Sequence, residues 1–216
     1  MRDIPVFTTE YGIASLALRE IPYRQEAYIH ILSTEQPEKL LEECVGFCRA
    51  CGAEKIYAKG HQCLEEYPLH TSVIKMCGCA QVDDDKVAHL WPVTTETVSQ
   101  WRRFMNDRLK DVDNAATLEG SDEKRILEQG GAYFVHQNGE MLGGGWLTDG
   151  KLLLIAAAVP GAGERVAHTL LSLVPDQAIE LEVASTNLRA IRLYEKLGFL
   201  KTEELARWYK IFESDK

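Results

Sequence analysis

The chain has 216 residues, 45% of them hydrophobic and 26% charged, with a formal net charge of −9. That is ordinary for a globular protein with a sizeable core, arranged as one large domain or two small ones. The acidic balance argues against a broad nucleic-acid footprint, and no run of about 18 apolar residues is present to form a membrane-crossing helix.

The first seven residues, Met1 to Phe7, contain no apolar signal core, so a cytoplasmic protein is expected. Phe7–Thr9, Ile13–Leu18 and Ala27–Leu32 read as strands, with Pro22 breaking the run. Pro37 suits the first turn of a helix, and Gly52 stops it. Leu41, Cys44, Val45 and Cys48 fall on one face of that helix, and Lys55–Ala58 is a short strand after it. Strand, helix, strand in this order predicts a parallel pair with a crossover. The six cysteines, at 44, 48, 51, 63, 77 and 79, all lie in the first half. Three of them sit on or beside the apolar stripe, where a free thiol behaves as a small hydrophobe, so reduced packing residues are expected and no metal site.

Val82-Asp83-Asp84-Asp85-Lys86 reads as an exposed, charged joint. The chain is therefore divided into a smaller α/β segment, 1–87, and a second domain, 88–216. Val87–Val93 is a strand that Pro92 pushes toward an edge. Val98, Trp101 and Met105 share a helical face after a Thr94 or Thr95 cap, and a second helix spans about Asp122 to Gln129. Ala132–His136 and Met141–Leu147 form a hairpin around Asn138-Gly139, the pair that supplies two positive-φ residues to a type I′ turn. Gly143-Gly144-Gly145 within the hairpin suggests a bulge or a close backbone approach. Leu152–Val159 is a continuous apolar strand, as expected where both faces are covered. Pro160-Gly161-Ala162-Gly163 ends it. A helix then begins near Glu164 or Arg165, with Val166, Leu170 and Leu173 on one face and Pro175 at its end. A glycine turn leading into a helix N-terminus favours an anion.

Ile179 to Val183 alternates apolar and acidic residues, which reads as a strand, and Ser185-Thr186 offers an N-cap. Ala190, Leu193, Tyr194 and Leu197 make one helical stripe. Gly198 suits the C′ position, and Phe199 can fold back on Tyr194. Leu200–Glu204 and Trp208–Phe212 read as two closing strands.

The stretch Asn187-Leu-Arg-Ala190-Ile-Arg-Leu-Tyr194-Glu-Lys-Leu-Gly198-Phe199 after a strand resembles the coenzyme-side helix of the GNAT superfamily of N-acetyltransferases. The resemblance covers about residues 88 to 213. It implies an α/β (mixed-sheet, α+β) GNAT-like fold, with the first segment as a partial copy of half such a sheet. It implies acetyl-CoA as cosubstrate, with Ala157, Ala158 and Val159 beside the thioester arm and Gly163, Glu164, Arg165, Val166 and Ala167 at the phosphates. Asn187, Ala190 and Tyr194 then follow along the arm, and Tyr194 protonates the departing thiolate. The two helices after the first strand would wall the acceptor site, bringing Trp101, Phe104 and Arg108 near substrate. The family's phosphate loop, Gln/Arg-x-x-Gly-x-Gly/Ala, is altered here. Ala167 matches, but Ala162 replaces the first polar residue and Arg165 the middle glycine. Glu164 adds a negative charge there, which Arg165 could offset.

Attack by an amine requires it to be neutral, since an alkyl ammonium loses its proton only near pH 10. A base is then useful. Glu182 is the expected catalytic carboxylate by pattern, with Glu180, His136 and Glu140 as further choices. A strand N–H at Ala157 or Ala158 would polarise the carbonyl. The expected activity is acetyl transfer to a primary amine of a small molecule or peptide by direct attack in a ternary complex. The alternative is a non-catalytic coenzyme-binding or regulatory module. No nucleic-acid or membrane partner is expected, and a homodimer is allowed for.

Overall fold

The computed structural model describes residues 3–79 and 82–214. The chain divides into two compact units, Met1–Val73 with Glu204–Lys216, and Ile74–Glu203.

In the first unit, strands β1 (Ile4–Thr9) and β2 (Gly12–Ala17) form an antiparallel hairpin, and β2 pairs antiparallel with β3 (Glu26–Thr34). Between them is a one-turn helix, α1 (Ile21–Arg24), at the place where the sequence reads Pro22 only as a break. Proline is tolerated there because a first helical turn has no acceptor for its missing N–H. Helix α2 (Pro37–Ala50) crosses over to β4 (Lys55–Lys59), which lies parallel to β3 as the element order predicts. A 3-10 turn (Gln62–Glu66) follows. Strand β5 (Leu69–Cys79) comes next, and the last strand, β11 (Leu200–Glu213), runs antiparallel beside β4. The strand order here is β1-β2-β3-β4-β11-β5.

Two expectations change here. The region 200–213 is one strand, not two. Strand β5 is not anticipated by the sequence, because its apolar residues do not alternate cleanly and its cysteines suggest other roles. On α2 the buried residues are Leu40, Leu41, Cys44 and Cys48, with Val45 only half-buried. Both cysteines are fully enclosed with Leu16, Ile29 and Ile56, and burial pushes their thiols up, to about 11 for Cys44 and about 12 for Cys48. They act as core side chains, as the stripe predicts.

The second unit contains β6 (His89–Pro92), α3 (Val98–Leu109), α4 (Asp122–Gln129), β7 (Ala132–Gln137), β8 (Glu140–Thr148), β9 (Lys151–Ala157), α5 (Gly163–Leu171), β10 (Ala178–Ala184) and α6 (Leu188–Lys196). Its strand order, starting from the part of β5 that belongs to it, is β5-β10-β9-β8-β7-β6. Strand β6 is at the edge, as Pro92 requires. Asn138 and Gly139 have φ of 53° and 83°, as a type I′ turn requires.

Strand β9 is covered on both faces. Leu154 and Ala156 pack with Trp101, Met105 and Trp146, while Leu152 and Ile155 pack with Val166, Leu170 and Leu181. The three glycines of β8 are where two helices press closest. A Cβ at Gly145 would stand 2.4 Å from Leu170 Cδ1 on α5, and one at Gly144 would stand 3.2 Å from Trp101 Nε1 on α3. Helix α5 ends before Leu173, which is exposed rather than part of its buried face. The charged stretch 82–86 is not a free joint. Asp83 N–H donates to His168 Nδ1 at 3.1 Å and Lys86 pairs with Glu164 at 2.8 Å, so the stretch is fastened to α5.

Candidate active site

The site begins with one extra residue in β9. Trp146 pairs with Leu154, but the next residue, Leu147, pairs with Leu152, so Leu153 is an unpaired bulge. It is 43% exposed, whereas Leu152 is buried and Leu154 half-buried. A bulge bends its strand and reverses which backbone groups face which neighbour. Before it, the Gly150 carbonyl points toward β10 and accepts from Glu180 N–H at 2.9 Å. Beyond it, Ala158 N–H points the other way and donates to Leu142 on the β8 side at 2.7 Å. Antiparallel ladders alternate, so the backbone of Ala157 and of Ile155 is directed away from β8.

Strand β10 has left by then. The parallel pairing of β9 and β10 consists of Lys151↔Glu180 and Leu152↔Leu181 and goes no further. The two strands diverge just past the bulge, and Ala157 lies on the opened edge. Of the two amides expected to polarise a carbonyl, that of Ala157 is available and that of Ala158 is committed to Leu142. The carbonyl of Ala158 accepts from Nη2 of Arg108, at the end of α3. Val159 accepts from Ala162 N–H as the chain turns into α5.

Helix α5 starts at Gly163, and Val166 N–H is the first to find a helical acceptor, Ala162 O, at 2.9 Å. The amides of Gly163, Glu164 and Arg165 precede the first possible intrahelical bond. Val166 and Ala167 are fully buried. Their side chains are core, and their amides belong to the helix rather than to its open end. Glu164 is charge-balanced, but not by Arg165. Its carboxylate lies 2.7 Å from Lys196 and 2.8 Å from Lys86. Hydrogen bonds from Lys196 and then Lys86 hold it down to about 2. Neither Lys86 nor Lys196 is anticipated by the sequence as a site residue. Lys86 is 78 residues from Glu164 in the chain, and no local pattern connects them.

Helix α6 closes as expected. Gly198 has φ 93°, Phe199 N–H bonds Tyr194 O at 2.9 Å, Gly198 N–H bonds Glu195 O at 3.1 Å, and the two rings lie 6.1 Å apart. These bonds make a Schellman motif with its apolar contact. Its N-cap is Asn187, whose Oδ1 accepts from Ala190 N–H at 3.1 Å, rather than Ser185 or Thr186. Thr186 instead donates to Asp113, in the segment after α3, at 2.6 Å. With Oδ1 engaged, Asn187 has its Nδ2 donors left for another partner.

Tyr194 is 6% exposed, and burial raises its phenol well above the ordinary value. The shift leaves the phenol protonated at neutral pH and makes it a weaker acid toward a thiolate. Its ring packs in the core with Leu197 and Phe199, and no described residue hydrogen-bonds its hydroxyl. Glu182 is exposed on β10, on the face opposite Leu181 and Val183. Glu180 is paired to Lys75 at 2.7 Å. His136 lies on β7, two strands from β9, against Trp91 and Phe134. Glu140 begins β8, the strand between, and is exposed. Trp101 is wholly buried, donating to Tyr133 O at 3.0 Å, and Phe104 packs beside it against Gly144.

The first unit repeats the strand–helix–strand arrangement without the opening. Its parallel strands stay paired over five registers, from Glu26↔Lys55 to His30↔Lys59. Its crossover helix starts with Pro37, which has no N–H to offer an anion.

No protein-family model and no curated protein matches the sequence. Solved structures do match in shape. A candidate acetyltransferase from Pyrococcus horikoshii superposes with a TM-score of 0.60 at 13% identity, over 94% of this chain and 70% of that one. A conserved protein of unknown function from Staphylococcus epidermidis gives 0.59 at 8% identity, over 99% and 95%. A GCN5-related N-acetyltransferase from Sphaerobacter thermophilus gives 0.52 at 11% identity, over 94% and 78%. At these identities the likeness is one of fold. The mixed sheet with its bulged strand, the flanking helices and the Asn187–Phe199 helix together make this a chain with the GNAT acetyltransferase fold.

Proposed function

We propose that the chain transfers an acetyl group from acetyl-CoA to a primary amine of a small molecule or peptide. The observation that carries this reading is the opened edge of β9. A pantetheine arm can lie there as a short extra strand, because the backbone of Ile155 and Ala157 faces a gap where β10 has turned away. The amides at the start of α5 suit the coenzyme's diphosphate, while Lys86 and Lys196 are engaged by Glu164, and Lys86 also by Asp83, so that cluster is charge-balanced.

The residues then have defined tasks. Ala157 N–H donates to the thioester oxygen as it becomes an oxyanion. The amine nitrogen bonds to the carbonyl carbon, the carbon–sulfur bond breaks, and the thiolate takes the Tyr194 proton. The proton lost by the amine passes through water to Glu182, and the phenol recovers its proton from solvent. Nδ2 of Asn187 donates to an oxygen of the arm.

The second reading is a coenzyme-binding module without catalysis. It is favoured by Glu164, a carboxylate at the helix start where a phosphate would need to sit. Titration calorimetry with acetyl-CoA, followed by turnover of Tyr194→Phe, separates the two. The transferase reading expects binding and a turnover lowered by about 100-fold or more with affinity nearly unchanged, as for loss of a general acid. Binding with no acetyl transfer to any amine supports the module, and absence of binding removes both.

A further inference from the structure

Two strands that diverge without a ladder need something else to fix their separation. Beyond Leu152 and Leu181 no backbone pairing joins β9 to β10. A single segment nevertheless touches both tips. Arg108, at the C-terminal end of α3, donates through Nη2 to the carbonyl of Ala158, just past the end of β9. Five residues later, Asp113 accepts from Thr186 Oγ1 at 2.6 Å, just past the end of β10.

The anchoring of α3 makes this more than a pair of surface contacts. Trp101 and Met105 of the same helix are wholly buried against β8 and β9 side chains, and Trp101 Nε1 is bonded to Tyr133 O. Asn106 is bonded both ways to Leu118, by Nδ2 to its carbonyl and by Oδ1 from its N–H, so the segment between the helices is closed into a loop. A rigid base with one contact on each lip behaves as a spacer.

We propose that the segment from Arg108 to Asp113 is a cross-tie that sets the width of the opening between β9 and β10, with Arg108, Asp113 and Thr186 as positioning residues. The consequence for the coenzyme rests on the acetyl-CoA reading above. An arm inserted as a pseudo-strand needs both walls at ladder distance, about 4.8 Å on each side. A tie that holds the walls in place before binding removes the cost of ordering them, and that saving appears as affinity.

The test uses the whole chain and two variants at exposed positions, Thr186→Val and Arg108→Gln, with Thr186→Ser as the hydroxyl-retaining control. Hydrogen exchange is measured first, without coenzyme. The tie expects exchange to rise roughly fivefold at 155–158 and 184–187 in both Thr186→Val and Arg108→Gln, the size of one net hydrogen bond. It expects a fall in the urea midpoint no larger than the loss of one hydrogen bond accounts for, with the slope unchanged, and wild-type exchange in the serine control. Unchanged exchange at both tips in both variants overturns it. Calorimetry with acetyl-CoA follows, and roughly fivefold weaker binding in both variants, restored by Thr186→Ser, is the expected result. If the parent chain binds no acetyl-CoA while tip exchange still rises, the tie stands and the transferase reading falls. If the parent binds and neither exchange nor affinity moves in the variants, the reverse holds.

Discussion

At the scale of single residues, His168 shows how chemistry is pinned by packing. It is interior on α5, its Nδ1 accepts from Asp83 N–H, and its Nε2 is 3.8 Å from Glu164. That arrangement requires a neutral ring with the proton on Nε2. Burial first, and Lys86 second, lower its pKa below the ordinary 6.5, outweighing the attraction of Glu164 and Asp83. The folded state therefore binds fewer protons than the unfolded chain once the pH drops below about 6.5, so stability falls as the pH is lowered through that window. Melting curves between about pH 7.5 and pH 5 should show this decline. His168→Asn, whose Oδ1 can replace Nδ1 as the acceptor, should flatten it. An equal decline in the variant would place the titration elsewhere. Glu164 has the same sign at lower pH. Its partners Lys196 and Lys86 stabilise the carboxylate above the ordinary carboxylate range, and that contribution disappears as the pH falls toward about 2.

At the scale of elements, the glycine run of β8 is a packing device. Helices α5 and α3 lie on opposite faces of that strand, and each presses where a side chain is missing. Gly145→Ala would put a methyl 2.4 Å from Leu170 Cδ1 and 2.7 Å from Leu154 O, and Leu170 is fully buried. Overpacking of this kind costs about 1–3 kcal/mol. The urea midpoint should fall with the slope unchanged. Gly46→Ala on α2 is the control, since nothing lies within 4 Å of its Cβ position. It should stabilise the chain by about 0.5–1 kcal/mol through the helix. A Gly145→Ala chain as stable as the parent would mean that α5 can shift off the sheet. The β9 bulge belongs to the same scale. Its sequence, Leu152-Leu153-Leu154, is as apolar as any buried strand, so nothing in it marks the middle residue as the one left out of the ladder. Only the pairing partners on β8 and β10 reveal it.

At the scale of the whole molecule, the two units put one strand–helix–strand plan to different uses. The first keeps its parallel ladder closed and starts its helix with Pro37. The second opens its ladder and starts its helix with three amides that find no acceptor among the described residues. Calorimetry should therefore give about one coenzyme per chain, bound at the opened ladder of the second unit. Two equivalent heats per chain would show that the closed ladder of the first unit can part.

Much of this protein was legible from residues close together in the chain. The Asn187–Phe199 helix with its Schellman close, the Asn138-Gly139 turn, the α3 and α4 helices and the buried cysteines of α2 follow from capping, positive φ and periodicity. All of these act over a few residues. Strand β5, the single strand β11, the Leu153 bulge, the Lys86–Glu164–Lys196 cluster and the contacts of Arg108 and Thr186 do not follow from such rules. Each depends on groups tens of residues apart, brought together by the fold, and a ladder register or an ion pair is a property of two segments that neither one specifies alone.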